Sequence, residues 1–447
     1  MNERPSQDPR PSGAPASPDR RKMLLGLGLA GGAAVSGLTP GVARADPSPA
    51  DAAATDPALN NRQPFYGVHQ SGVTTVRPAA GLVASFDMLI ANRADLTSQL
   101  RKLTERVEFL TQGGPAPRID PKFPPLDSGL LGPIVTPGNL TMTVALGASM
   151  FDSRFGLGGA KPIHLERMPQ FPNDALDADS CHGDLLIQIC SDTPDTSLHA
   201  LRDIIKNFPD AMVLRWKVEG FNANPRAAGQ PALTPRNLLG FKDGTANPDP
   251  ADGAAMNRLI WVAPDSPEPA WAVGGSYQVV RIIRNFVERW DRTPLQEQQS
   301  IIGREKMTGA PLTMAAEQDV PDYAGDPLGA RIRLDAHIRL ANPRTAQSQA
   351  HLLLRRPYNY SRGVTKAGQL DMGLLFICFQ ADLASGFVAV QNRLNGEPLE
   401  EYIKPVGGGF FFALPGVPAK GFYLGQSLIE ATEAPGDSAH PTPRKSS

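Results

Sequence analysis

The residues best suited to do chemistry lie in a stretch where two glycines bracket one carboxylate. The stretch is Leu239-Gly240-Phe241-Lys242-Asp243-Gly244-Thr245-Ala246-Asn247-Pro248. Glycine adopts positive φ readily and lets the backbone approach another object closely, so this stretch can hold Asp243 at a fixed point over a ligand. Asp-Gly is also a strong hairpin signal. These residues alone favour a plain turn over a site, and the rest of the chain must decide between the two.

Two more polar clusters follow in the second half of the chain. Residues 335–344 contain His337, and residues 351–363 contain the adjacent pair Arg355 and Arg356. A lone histidine is more often a satisfied structural residue than a ligand. Together, however, one histidine, one placed aspartate and a run of arginines form the set that a haem site needs, with an axial His and with Arg for propionates and peroxide.

Other classes of site find less support in the sequence. It contains no Gly-x-Ser-x-Gly, P-loop, His-Glu-x-x-His or strand-following Gly-x-Gly-x-x-Gly motif. The three cysteines form no Cys-x-x-Cys or Cys-x-x-Cys-His motif, which argues against a disulfide framework and against covalent haem attachment. A net charge of −1 gives no sign of nucleic acid or an anionic membrane as a partner.

The motifs together resemble those of the dye-decolourising (DyP-type) haem peroxidases. Residues 240–244 match the Gly-x-x-Asp-Gly motif of that family, and residues 245–248 continue it as in the secreted branch. Residues 337–344 are similar to the proximal haem segment, and residues 354–363 to the distal-arginine segment. The likeness runs from about residue 63 to 430 and is greatest to the EfeB-like deferrochelatase/peroxidases of iron uptake, whose twin-arginine signal this chain also resembles.

The resemblance implies an α+β fold of two ferredoxin-like domains, with a non-covalent haem b held mainly by the C-terminal domain. It makes His337 the proximal iron ligand and places Asp243 and Arg355 on the distal side. The neighbouring Arg356 is the alternative for the distal arginine, and Arg344 is expected near a propionate. The other residues that the resemblance places along the haem are Gly244, Thr245, Ala246, Asn342 and Pro343.

Hydrophobic periodicity agrees with a ferredoxin-like first half. A helix is predicted where Leu96, Leu100, Leu103, Val107 and Leu110 share one face, ending at Gly113-Gly114. A second helix is predicted from about Thr196, with these residues inward: Leu198, Leu201, Ile204, Ile205 and Phe208. The predicted strands are 82–88, 141–147, 184–190 and 214–218. The order β-α-β, β-α-β is that of the split-βαβ motif.

The second half is predicted to repeat this make-up. Its predicted strands are 259–262, 277–283, 371–379 and 410–414. One helix is expected to begin at Thr293-Pro294, with Thr293 as the capping residue, and another to span about Phe387 to Leu394. The domains are therefore assigned as 62–235 and 236–432, preceded by a polar linker at 46–61 and followed by a disordered tail at 433–447.

Residues 1–45 have the features of a cleaved twin-arginine signal. Arg20-Arg21 precedes a Gly/Ala-rich apolar run, and Ala43-Arg44-Ala45 matches a small-x-small cleavage pattern. The apolar run is shorter than the ~20 residues of a spanning helix, which argues against the alternative of a membrane anchor. We therefore expect export by the twin-arginine route to the periplasm or beyond, with no stable membrane span after cleavage.

Three functions remain open at this stage. The first is a peroxidase that uses hydrogen peroxide to oxidise dye-like or phenolic reductants. The second is a deferrochelatase that releases iron from haem with the porphyrin intact, and the third is a non-catalytic haem carrier. A carrier would need neither Asp243 nor Arg355. An iron-uptake system as partner and a homodimeric state are further expectations that the sequence leaves open.

Overall fold

The computed structural model describes residues 60–222 and 234–432. The first half contains four long strands and two helices in the predicted order. They are β1 (Ala80–Met88), α1 (Arg93–Gln112), β2 (Thr141–Gly147), β3 (Leu185–Ser191), α2 (Pro194–Asn207) and β4 (Met212–Phe221). A two-stranded ribbon of Gly114–Pro115 and Ile134–Val135 lies in the loop after α1. The spatial strand order β2-β3-β1-β4, all antiparallel, is that of a ferredoxin-like domain.

The second half contains the same arrangement with additional short helices. Its elements are α3 (Gly253–Leu259), β5 (Ser276–Asn285), α4 (Val287–Trp290), α5 (Leu295–Ile302), α6 (His337–Ala341), β6 (Leu354–Arg355), β7 (Tyr358–Val364), β8 (Leu370–Gln380), α7 (Ala389–Leu394), β9 (Ile403–Ala413) and α8 (Gln426–Ala431). The order β9-β5-β8-β7 repeats that of the first half, and the short β6 pairs with β8. The prediction of two ferredoxin-like sheets is confirmed.

The two sheets join at both edges, which the sequence did not predict. Strand β9 pairs with β2 over three residues, and Phe221 of β4 pairs with Asn359 of β7. Alternate residues of each strand therefore face two different cores. Leu82 and Ala84 pack beneath the helices, whereas Val83 packs between the sheets. Burial on both faces explains the continuous apolar runs of strands β3 and β5.

Several local predictions from the sequence are wrong. Residues 259–262 form the end of α3 and an irregular turn instead of a strand, while strand β7 was not predicted. Thr293 does not cap α5; its hydroxyl donates to Arg289 O and Tyr402 Oη. On α2, Ile205 is 43% exposed, although Leu201, Ile204 and Phe208 are buried as predicted. In α1 all five predicted core residues are buried.

Within residues 60–222 and 234–432, no helix is long and apolar enough to cross a membrane. The predicted signal, residues 46–59 of the linker and the predicted tail lie outside the described residues. All three cysteines, Cys181, Cys190 and Cys378, are free and buried.

Candidate active site

The stretch 240–244 connects two tight turns, and Asp243 lies between them. The N–H of Gly240 donates to Asn237 O at 2.9 Å and closes the first turn, and the N–H of Asn247 donates to Gly244 O at 3.0 Å and closes the second. Gly240 has a φ of 87° and Gly244 a φ of 131°, both in the region that favours glycine. A Cβ on Gly240 would lie 2.5 Å from Cε of Lys306, which packs across the turn. The backbone N–H of Asp243 donates to Pro235 O at 2.8 Å. The turn and site interpretations of this stretch are therefore compatible.

Asp243 pairs with one of the two adjacent arginines. Nη1 of Arg355 donates to Oδ1 of Asp243 at 2.7 Å, and both side chains line the same cavity. The next residue, Arg356, points the other way because successive side chains of a strand face opposite sides. Its guanidinium donates to Thr75 O, and the residue is 4% exposed. The geometry thus favours Arg355 over Arg356 as the arginine of the site.

His337 begins α6 and is oriented by a carboxylate. Its Nδ1 lies 2.7 Å from Oε2 of Glu397, whose side chain is 3% exposed. Burial lowers the pKa of His337, but the charge and hydrogen bond of Glu397 more than offset this, so the pKa is raised. With Nδ1–H donating to Glu397, Nε2 is the nitrogen left to bind a metal. Arg393 donates to Leu340 O and Ala341 O and thereby closes the last turn of α6.

A single large cavity contains nearly all the predicted site residues. It encloses about 1790 Å³ of space between protein atoms, a figure that includes its open mouth. It is lined by these predicted residues: Asp243, Gly244, Thr245, Ala246, His337, Asn342, Arg344 and Arg355. Pro343, the remaining one, is not among the lining residues, and its role stays a prediction.

The walls of this cavity suit an amphipathic, anionic macrocycle. Its apolar lining includes Ile302, Leu353, Leu374, Phe376, Phe387 and Leu399. Arginines among the lining residues supply positive charge. Arg344, held in the left-handed region at a φ of 61°, lines the cavity together with Arg304, which is 6% exposed. A planar porphyrin needs such apolar walls, its iron needs a histidine, and its two propionates need cations, so the residues present fit a haem.

Comparison with known proteins places the chain in a family. The sequence models of the N-terminal and C-terminal domains of Dyp-type peroxidases match residues 70–222 and 234–418. The chain therefore belongs to the Dyp-type peroxidase family, whose members are haem enzymes that reduce peroxide at the expense of a second substrate. The resemblance inferred from the sequence is confirmed.

Individual relatives cover almost the whole chain. A protein of Yersinia pseudotuberculosis named deferrochelatase is 56% identical over 422 residues, 94% of this chain and 97% of that protein. The deferrochelatase of Escherichia coli O157:H7 is 56% identical over 92% of this chain and 97% of its own length.

Solved structures give the same result for the fold. A DyP-type peroxidase from Cellulomonas bogoriensis superposes with a TM-score of 0.74 at 34% identity, covering 84% of this chain and all of that one. Ferric DtpA from Streptomyces lividans has the same TM-score at 35% identity, with the same coverage of both chains. The two ferredoxin-like domains are therefore those of the family.

Two carboxylates that organise the site were not predicted from the sequence. Glu397 lies 60 residues from His337, in a turn that follows α7. Glu317 accepts hydrogen bonds from Lys242 and Thr245, which flank Asp243. It lies in the irregular segment 303–336, where periodicity carries no signal. Only the unusual length of that segment could have drawn attention to it, because long structureless loops in compact domains are usually functional.

Proposed function

We propose that this protein holds a non-covalent haem b through Nε2 of His337 and uses hydrogen peroxide to oxidise organic reductants of the dye-like or phenolic kind. The observation that carries the proposal is the 2.7 Å pair between Asp243 and Arg355, which shares one cavity with the His337–Glu397 pair. Arg344 and Arg304 would hold the propionates. Gly244, Thr245, Ala246 and Asn342 would line the ring.

Peroxide cleavage requires a proton to move between its two oxygens. The carboxylate of Asp243 can take the proton from one oxygen and return it to the other, a general acid–base role that contributes typically ~10²–10⁴-fold. The guanidinium of Arg355 can stabilise negative charge as it develops on the departing oxygen. The haem, when bound, supplies the iron that accepts peroxide and stores its oxidising equivalents for the reductant.

His337 and Glu397 have a separate task on the metal side. A carboxylate that accepts the Nδ1–H of a ligating histidine fixes its tautomer and ring orientation and makes the ligand more basic. The 2.7 Å contact between Nδ1 and Oε2 supplies this interaction. A more basic His337 would hold a haem iron more firmly and would donate more electron density to it.

The decisive experiment compares two aspartates of the same loop. Asp243→Asn removes the proton-transferring carboxylate, whereas Asp249→Asn changes an exposed carboxylate six residues further on. In haem-loaded protein, we expect the first substitution to slow the peroxide-induced absorbance change by about 10²-fold or more and the second to leave it unchanged. Equal rates for Asp243→Asn and the parent protein would refute the proposed role of Asp243.

A deferrochelatase activity is the second candidate, because the relatives at 56% identity carry that name. Such an activity would remove iron from haem and leave the porphyrin intact. Incubation with haem followed by measurement of metal-free porphyrin fluorescence distinguishes it from peroxidase turnover. A non-catalytic carrier would instead show rapid haem transfer to an acceptor with negligible peroxide turnover.

We further propose export by the twin-arginine route to the periplasm or the extracellular space, where the protein would act with an iron-uptake system. The paired Arg20-Arg21 and the Ala43-Arg44-Ala45 site support this location. Replacement of both arginines by lysine should leave the protein unprocessed inside the cell. Processing and export of that variant at the parental level would rule out the twin-arginine route.

A further inference from the structure

Asn247 makes two hydrogen bonds with the backbone of Arg355, 108 residues away in the sequence. Its Oδ1 accepts the N–H of Arg355 at 2.8 Å, and its Nδ2 donates to the C=O of the same residue at 3.1 Å. One side-chain amide thus satisfies both polar groups of a single residue's main chain. The two bonds also fix the orientation of the amide, since a flipped amide would place donor against donor and acceptor against acceptor.

The local structure explains why Arg355 needs this partner. In strand β6 the N–H of Arg356, the next residue, donates to Ile377 O of β8 at 2.8 Å. Successive residues of a strand point their main-chain groups to opposite sides, so the N–H and C=O of Arg355 face away from β8. Pro357 ends the strand and has no N–H of its own. Asn247 takes the place of the missing neighbouring strand at this edge.

The loop that carries Asn247 also carries Asp243. Asp243 accepts a hydrogen bond from the guanidinium of Arg355, while Asn247, four residues later, holds its main chain. The backbone N–H of Asn247 donates to Gly244 O at 3.0 Å, which makes residues 244–247 a closed turn. One short loop therefore contacts both the guanidinium and the main chain of Arg355.

The loop itself is fixed to the body of the protein. Lys242 forms an ion pair with Glu317, and the hydroxyl of Thr245 donates to the same carboxylate at 2.9 Å. The Lys242 and Glu317 side chains are 18% and 16% exposed, so the pair is largely enclosed. Residues on either side of Asp243 are thus bound to the same carboxylate, that of Glu317. Asn247 then links this loop to Arg355.

We propose that Asn247 is a positioning residue that sets the place of the Arg355 guanidinium relative to the Asp243 carboxylate, already in the haem-free protein. The inference rests on the proposed function, because the pair matters only if both residues act on peroxide. A misplacement of about 1 Å in a catalytic group can cost ~10²-fold in rate. Two main-chain hydrogen bonds are the restraint that prevents such a displacement.

A double-mutant cycle separates positioning from general stabilisation. The variants are Asn247→Ala, Arg355→Ala and the two combined, all loaded with haem. We expect Asn247→Ala to slow the reaction with peroxide by about 10- to 100-fold. Because Asn247 acts through Arg355, the double variant should react within about twofold of Arg355→Ala alone. Fully multiplicative effects would show that Asn247 acts independently of Arg355 and would overturn the proposal.

A matched control and a second readout use the same segment. Asn222 donates to Pro357 O at 3.0 Å, two residues beyond Arg355, so Asn222→Ala removes a side-chain contact with this segment without touching Arg355. Its peroxide rate should equal that of the parent. In haem-free protein, the Arg355 amide should exchange with solvent about tenfold faster in Asn247→Ala than in the parent. Unchanged exchange would refute the hydrogen bond on which the proposal depends.

The outcomes also separate this inference from the proposed function. If Arg355→Ala reacts slowly and Asn247→Ala reacts at the parental rate, the positioning role alone is wrong. If Arg355→Ala itself reacts at the parental rate, the assigned role of Arg355 fails, and the positioning role fails with it.

Discussion

Asp243 and Arg355 lie 112 residues apart in the sequence, and their carboxylate oxygen and guanidinium nitrogen are 2.7 Å apart in the structure. Their side chains keep 14% and 28% of their surface exposed, and both line the cavity that contains His337. The pair is thus formed within the protein, yet a small molecule in the cavity can reach it. A charge-assisted hydrogen bond of this length holds both groups in place.

The first prediction separates the two adjacent arginines. Arg355→Lys keeps the charge but loses the planar fork of the guanidinium, so the reaction with peroxide should slow by about 10- to 100-fold. Arg356→Lys should react at the parental rate, because Arg356 contacts Thr75 O and does not line the cavity. Stopped-flow absorbance of the haem-loaded variants measures both rates. The reverse pattern would make Arg356 the arginine of the site.

The second prediction concerns the contact between Glu397 and His337. Glu397→Gln keeps a hydrogen-bond acceptor but removes the negative charge beside Nδ1, so the ligand becomes less basic. Haem should bind about tenfold more weakly, and the iron reduction potential should rise. Haem transfer to an excess of an acceptor protein and a redox titration provide the measurements.

The control for this variant is Glu401→Gln, which changes an exposed carboxylate whose side chain is 63% accessible. Its haem affinity and reduction potential should match those of the parent. A Glu397→Gln variant with both parental values would mean that the carboxylate does not act on the metal through His337.

The third prediction concerns Glu317, the carboxylate that binds the loop carrying Asp243. Burial raises the pKa of Glu317, but hydrogen bonds from Lys242, Thr234 and Thr245 outweigh it, and the net shift is downward. Because its folded pKa lies below its unfolded pKa, Glu317 stabilises the fold above about pH 4.5, and that contribution is lost as pH falls through the folded pKa. Glu317→Gln should therefore lower the free energy of unfolding at pH 7 by about 1–2 kcal/mol, with a smaller loss near pH 4.

Chemical denaturation of haem-free protein at the two pH values measures this difference. Glu297→Gln serves as the control, since Glu297 is 49% exposed and meets Arg333 at 3.3 Å. Its removal should change the free energy of unfolding by less than about 0.5 kcal/mol. An equal loss for Glu317→Gln at both pH values would show that the charge of Glu317 is not what stabilises the loop.

The fourth prediction concerns His182, which lies far along the chain from the site residues. Burial, reinforced by Arg167 and Arg215, lowers its pKa from 6.5 to about 4. Between pH 6.5 and pH 4, His182 is therefore protonated in the unfolded chain but neutral in the folded protein. The free energy of unfolding falls as the pH drops through this range. His182→Asn should reduce this fall by at most about 2 kcal/mol, because partial exposure screens the charges.

Asparagine is the suitable replacement because His182 has a φ of 60°, a conformation that asparagine tolerates. Denaturation of haem-free parent and variant over this pH range gives the comparison. Parallel pH profiles for the two proteins would remove His182 as a source of the acid sensitivity.

Local patterns in the sequence determined the secondary structure of the first half and the types of residue in the site. Helix α1 and strands β1 to β4 follow from apolar spacing, because each repeats a period over many residues and its apolar side chains share a buried face. The second half was predicted less well. Residues 259–262 were taken for a strand because a short apolar run fits a buried strand as well as the buried end of a helix.

The sequence also singled out Asp243, His337 and the arginine pair, because glycines, motif spacing and residue chemistry are local properties. It could not decide between Arg355 and Arg356, since adjacent residues of a strand face opposite sides and only the packing of β6 on β8 shows which side meets the cavity. The residues that contact these side chains were not predicted from the sequence either. Glu397 reaches His337 across 60 residues, and Asn247 reaches Arg355 across 108. Contacts over such separations depend on how the strands and loops pack, which only the tertiary structure decides.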